Sequence, residues 1–145
     1  MNIDELVLAK IRLISKYYQT LENFSSISLD DFLADYFQQL LAERLLHLIT
    51  QTAIDINHHI LSKLNPGNDN TNFESFIKLA KYDVITPELA KQLALSEGLI
   101  KHLVYEYDDI DPNQVFRAIS FALQQYPLYV RQINSYLISL SEEDG

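Results

Sequence analysis

Residues 28–64 read SLDDFLADYFQQLLAERLLHLITQTAIDINHHILSKL, a stretch without glycine or proline. Ser28 followed three residues later by Asp31 is a variant of the capping box, in which a short side chain accepts from the amide three positions on. With no helix breaker behind that start, the sequence predicts a helix running unbroken to about Leu64. Leu33, Phe37, Leu41, Leu45 and Leu48 lie along one side, while Phe32, Tyr36, Leu40, Leu46 and Ile49 spread around the wheel. A helix apolar on more than one face is either central to a bundle or covered on one side by a second copy of the chain.

Upstream, Ile3, Val7, Ile11, Ile14, Tyr18 and Leu21 recur at steps of three and four, which is the period of an amphipathic helix. Downstream, residues 65–72 (NPGNDNTN) have the composition of a surface loop, and a short helix is expected over 73–81. Thr86-Pro87-Glu88 then offers an N-cap, a proline at the first helical position and an early acid. The face Leu89, Leu93, Ile100, Val104 and Tyr107 continues that helix to a loop at 107–111. Asp111-Pro112 starts the last helix, with Val115, Ile119, Ala122 and Leu123 turned inward. Pro127 is expected to kink or break it, because proline lacks the amide hydrogen and crowds the preceding turn. The expectation is an all-α antiparallel bundle of about five helices, one domain over residues 1–140, with an acidic tail at 141–145.

Composition narrows the chemistry. The 145 residues carry 20 acidic and 11 basic side chains, a net charge of −9, and no cysteine. Zinc ribbons, thiolate catalysis and iron–sulfur clusters are thereby excluded. Two acids in the first five residues sit where a signal peptide would be basic, and no apolar run approaches the ~20 residues of a membrane span. A cytoplasmic protein without membrane contact is expected. The negative charge disfavours phosphate backbones, DNA included, and favours a basic partner surface.

Candidate metal ligands are Glu43 with His47 and Asp55 with His59, each pair four residues apart on one helix face. Metal sites normally need three or four converging ligands, so these pairs, and His58 beside them, read as structural or solvent-facing residues, and no metal or other cofactor is expected. The nine tyrosines and seven phenylalanines fall mostly at core spacing. There is no glycine-rich phosphate loop, nucleophile elbow or zincin motif.

The segment 98–112, GLIKHLVYEYDDIDP, resembles the signature of the HepT family of HEPN-domain proteins. That signature runs Gly, aromatic, Arg, Asn, three residues, His, any residue, Tyr, then an acidic loop and a new helix start. Ala42-Glu43-Arg44 and Ala53-Ile54-Asp55-Ile56 with His59 also resemble the family's pattern, and helix order agrees over nearly the whole chain. The resemblance implies an all-helical homodimer acting as a toxin that cuts RNA without metal, paired with a small MNT-type nucleotidyltransferase antitoxin.

The departures bear on activity. With Gly98 and Tyr107 aligned, the family's arginine falls on Ile100, its asparagine on Lys101 and its histidine on Tyr105. Metal-free RNA cleavage needs a group of near-neutral pKa to move a proton and a cation to hold charge on the phosphate. A tyrosine with a pKa near 10 is only roughly a thousandth ionised at pH 7. Lys101 supplies charge but lacks the planar fork of arginine. His102, two positions beyond Ile100, is the one imidazole in the motif that could substitute. Cleavage is therefore expected to be weak or lost. The alternative expectation is a non-catalytic dimer that binds the nucleotidyltransferase and accepts AMP from it. The acceptor implied by the resemblance is Tyr107, flanked by Glu106, Asp108 and Asp109. Around the motif, Lys101 and His102 stand against Glu97 and those three acids, so the acidity concentrates near the expected cleft.

Overall fold

The structure is a computed structural model that describes the backbone of residues 3–105 and 110–144 and the side chains of residues 5–101 and 110–142. Its helices are α1 (Ile3–Leu21), α2 (Leu29–Leu33), α3 (Tyr36–Leu64), α4 (Asn72–Lys81), α5 (Pro87–Tyr105) and α6 (Pro112–Asp144), with one 3-10 turn at Glu22–Phe24. The described residues contain no strand. The all-α bundle is thus as expected, with one division added.

That division lies inside the stretch expected to be a single helix. Ser28 caps α2, accepting from the Asp31 amide at 3.1 Å, but the helix ends at Leu33 and restarts at Tyr36. Asp35 adopts an extended backbone and accepts from the Gln38 amide at 3.2 Å, a second N-cap. Gln39 then folds back so that its side-chain amide donates to the Phe32 and Leu33 carbonyl oxygens at the end of α2, where the Asp35 amide also donates to Phe32 O. Asp35 competes with the helix for its own amides, which is why aspartate favours caps over helix interiors.

α3 is the central element and packs against α1, α4, α5 and α6. Its buried residues include Ala42, Leu45, Leu46, Ile49, Ala53, Ile54, Ile56, Ile60 and Leu61. Against them lie Val7, Ile11, Ile14 and Leu21 of α1, in the periodic stripe read from the sequence, and Val115, Ile119, Ala122 and Tyr129 of α6. The first turns of the central stretch behave differently. Tyr36 and Phe37 are each 71% exposed, and Leu33, Leu40 and Leu41 are exposed too. The second apolar face is real and is left uncovered by this chain.

α4 ends in a Schellman arrangement: the Asp83 amide donates to Ala80 O and the Val84 amide to Leu79 O at 2.9 Å. Asp83 takes φ 61°, the left-handed conformation that aspartate tolerates better than most residues. This tight stop turns the chain back so that α4 and α5 pack together. Thr86 caps α5 by accepting from the Leu89 amide at 3.3 Å, and Asp111 accepts from the Asn113 amide at 2.9 Å at the start of α6.

Pro127 does not break α6, which continues through it to Asp144. The amide that proline lacks would have donated to the Leu123 carbonyl four residues back. In its place the Tyr18 hydroxyl of α1 donates to Leu123 O at 3.0 Å. A donor from another helix thus satisfies the acceptor that Pro127 leaves open.

Candidate functional site

The motif positions read from the sequence lie in the second half of α5. Ile100 is 4% exposed, an apolar side chain facing the bundle where the resembling family has a cation. Lys101, one residue on, is exposed. Together they line a cavity of about 350 Å³ between α5 and α3, whose other walls are His47, Thr50, Gln51 and Ile54 of α3, Asn72 at the start of α4, and Glu97. The side chains of His102 and Tyr105, and all of Tyr107 with Glu106, Asp108 and Asp109, lie outside the described residues.

Ile54 and Ile100 give the cavity its apolar lining, and the remaining lining side chains are polar or charged. Glu97 is 6% exposed, and its carboxyl makes no hydrogen bond among the described residues. Burial pushes its pKa up, partly offset by the Lys101 ammonium one helical turn on. His47 is half-buried; burial and then the Arg44 charge move its pKa down, favouring the neutral imidazole that can accept a proton. Burial also raises Glu43. The site therefore brings together a neutral imidazole, a cation and a buried carboxyl.

Behind the cavity lies a buried polar network. The Tyr129 hydroxyl donates to Asn57 Oδ1, with the Ala53 carbonyl oxygen at 3.0 Å as a second acceptor within reach. Asn57 donates to Ser75 Oγ at 3.0 Å, and Ser75 donates to Asn72 O at 2.7 Å. The chain of bonds runs from α6 through α3 to the first residue of α4, a wall of the cavity. Tyr126, stacked edge-on against Tyr129, reaches Thr50 Oγ1 at 3.5 Å. Burial pushes its pKa up to about 12, and the Glu97 charge adds to the rise.

Asp55 is engaged by Lys10, at 3.2 Å, and by the Gln51 amide, also at 3.2 Å. His58 bonds to Asn72 Oδ1 at 3.3 Å. No group of three or more His, Asp or Glu converges among the described residues. No described helix is long and apolar enough to cross a membrane. Sequence reasoning placed Ile100, Lys101 and Glu97 together but missed His47 and Asn72 as their neighbours. The available signal was Glu43-Arg44 in the family-like pattern, with His47 one turn beyond it.

Comparison with known proteins bears on this arrangement. A family model described as Ribonuclease HepT-like matches residues 14–133. A "tRNA nuclease HepT" of Aphanizomenon flos-aquae (strain 2012/KM1/D3) is 65% identical over 144 residues, covering 99% of this chain and 98% of that protein. Among solved structures, a tri-AMPylated Shewanella oneidensis HEPN toxin in complex with MNT antitoxin superposes with a TM-score of 0.81 at 22% identity, covering 93% of this chain and 99% of that one. A toxin–antitoxin structure with AMP-PNP gives a TM-score of 0.78 at 19% identity, covering 90% and 98%. At those identities the two structures speak for the fold alone.

Proposed function

The chain belongs to the HepT-like ribonuclease family, and from that membership we propose that it is the RNA-cutting toxin half of a toxin–antitoxin pair, working in the cytoplasm on tRNA. The observation that carries this reading is the 65% identity, across almost its whole length, to a protein named as a tRNA nuclease. Residues 1–140 form the single working domain, with 141–145 as its acidic end. The cleavage site is the cavity lined by Ile100 and Lys101, with Lys101 as the cation toward the phosphate; His102 and Tyr105 are the motif's remaining polar groups. No metal and no other cofactor takes part.

The active species is a homodimer formed across the 28–64 and 87–105 regions. Exposed Tyr36, Phe37 and Leu40 on α3 and Leu95 and Leu99 on α5 support that choice, because large apolar side chains left uncovered on these helices suit an interface. The partner is an MNT-type nucleotidyltransferase antitoxin, and Tyr107 is the acceptor of AMP, which would add bulk and negative charge beside the cleft. Incubating the purified protein with total tRNA in excess EDTA tests the reading: metal-independent cleavage is expected, and intact tRNA at high protein concentration would refute it.

One observation favours a second reading. Ile100, buried where the family carries arginine, gives a phosphate nothing to bind. On that reading the chain is a non-catalytic dimer that only binds the nucleotidyltransferase and accepts AMP. Intact tRNA together with an added AMP mass after incubation with the antitoxin, ATP and magnesium would select it.

A further inference from the structure

We propose that His47, on α3 rather than on the motif helix, is the general base of RNA cleavage in this chain. The inference rests on the ribonuclease reading above and names the group that performs its proton transfer.

The geometry begins with a replacement. Positions 100 and 105 carry an isoleucine and a tyrosine, and the cavity that Ile100 lines receives an imidazole from the facing helix. His47 is the only one of the described histidines on that cavity wall. Its ring nitrogens make no hydrogen bond among the described residues, whereas His58 is tied to Asn72. A half-buried, unbonded imidazole in a polar cavity is available to accept a substrate proton. The charged groups around it are Glu43 and Arg44 on its own helix and Glu97 and Lys101 on α5. Burial, and then the Arg44 charge, moves its pKa down and favours the neutral ring, the form that can act as a base.

Lys101 completes the arrangement. It lines the same cavity as the buried Glu97, one helical turn away, and its charge acts on that carboxyl. In the step itself His47 takes the proton of a ribose 2′-hydroxyl, and the 2′-oxygen bonds to the adjacent phosphorus. The bond from phosphorus to the 5′-oxygen breaks, and that oxygen leaves with a proton from solvent. His47 returns its proton to solvent, so the products are a 2′,3′-cyclic phosphate and a 5′-hydroxyl with no net proton change. Lys101 faces the non-bridging oxygens as their charge grows.

The test uses the full chain, total tRNA and excess EDTA. The H47Q variant should cut about 10²- to 10⁴-fold more slowly than the parent, while H59Q, on the same helix but away from the cavity, should stay within about twofold. Thermal midpoints check that both variants are folded. The parent's rate should fall on the acid side as His47 protonates, at a pH below the ordinary histidine value, and H47Q should lack that limb. Exogenous imidazole should restore part of the rate to H47A. A parent that cuts tRNA while H47Q cuts equally well would overturn this inference alone. A parent that leaves tRNA intact would overturn the ribonuclease reading and this inference with it.

Discussion

Replacing Tyr129 with phenylalanine removes one oxygen from a fully buried position and nothing else. The ring still packs edge-on against Phe76 and Tyr126, so the apolar contribution is retained. The loss falls on Asn57 Oδ1 and the Ala53 carbonyl, two acceptors with no access to water at that point. Leaving a buried acceptor unsatisfied costs about 1–3 kcal/mol. For a domain of this size each kcal/mol corresponds to roughly 3 °C in thermal midpoint, so Tyr129→Phe should melt about 3–9 °C lower. Urea denaturation should show a lower midpoint with an unchanged slope, since the surface exposed on unfolding is the same. The double variant with Asn57→Leu tests the network itself. If the bond is the source of the loss, the two single effects should overlap by about 0.5–3 kcal/mol in a double-mutant cycle. A Y129F protein within about 0.5 kcal/mol of the parent, well below the loss expected for an orphaned acceptor, or strictly additive single effects, would refute the reasoning.

Other consequences can be measured directly. Glu97 has a folded pKa above its unfolded one, so its contribution is most favourable below the unfolded value near 4.5 and declines as pH rises through the folded value; Glu97→Gln should therefore gain stability over the parent at pH 7 and lose that advantage at pH 4. Asp35→Ala removes the N-cap of α3 and should cost about 0.5–2 kcal/mol in chemical denaturation, whereas Lys10→Met, which breaks an ion pair with both partners about one-third exposed, should change stability by less than about 1 kcal/mol. Phe37→Glu, at a site 71% exposed, should leave the melting temperature nearly unchanged and, under the proposed homodimer, lower the mass in light scattering from that of two chains to that of one. An unshifted mass would count against the interface.

Most helices are legible from their period and caps. The α1 stripe, the Thr86 and Asp111 starts and the Ser28 cap all fall where apolar spacing and short polar side chains put them. The break at Ala34–Asp35 was missed because neither glycine nor proline marks it; Asp35 followed by Gln38 is nevertheless a capping pattern of the kind recognised at Ser28. Pro127 misled for a tertiary reason, since the donor that satisfies Leu123 comes from a residue 105 positions away. The site was half legible. Ile100, Lys101 and Glu97 share one helix, so spacing alone groups them. His47 and Asn72 join them only through the rotation of α3 and α4 against α5, which no local pattern encodes.

Tyr18 and Pro127 also bear on how the chain comes together in time. During synthesis α1 is made before α6, and the open carbonyl in the middle of α6 finds its donor only when the two helices meet. A contact spanning most of the chain forms late, because the loop it closes is long. The later helix, α6, is therefore completed by the earlier one, α1. A truncated chain lacking α1 would carry an exposed acceptor at the very turn where proline already weakens the helix, a defect open to recognition by a protease or chaperone.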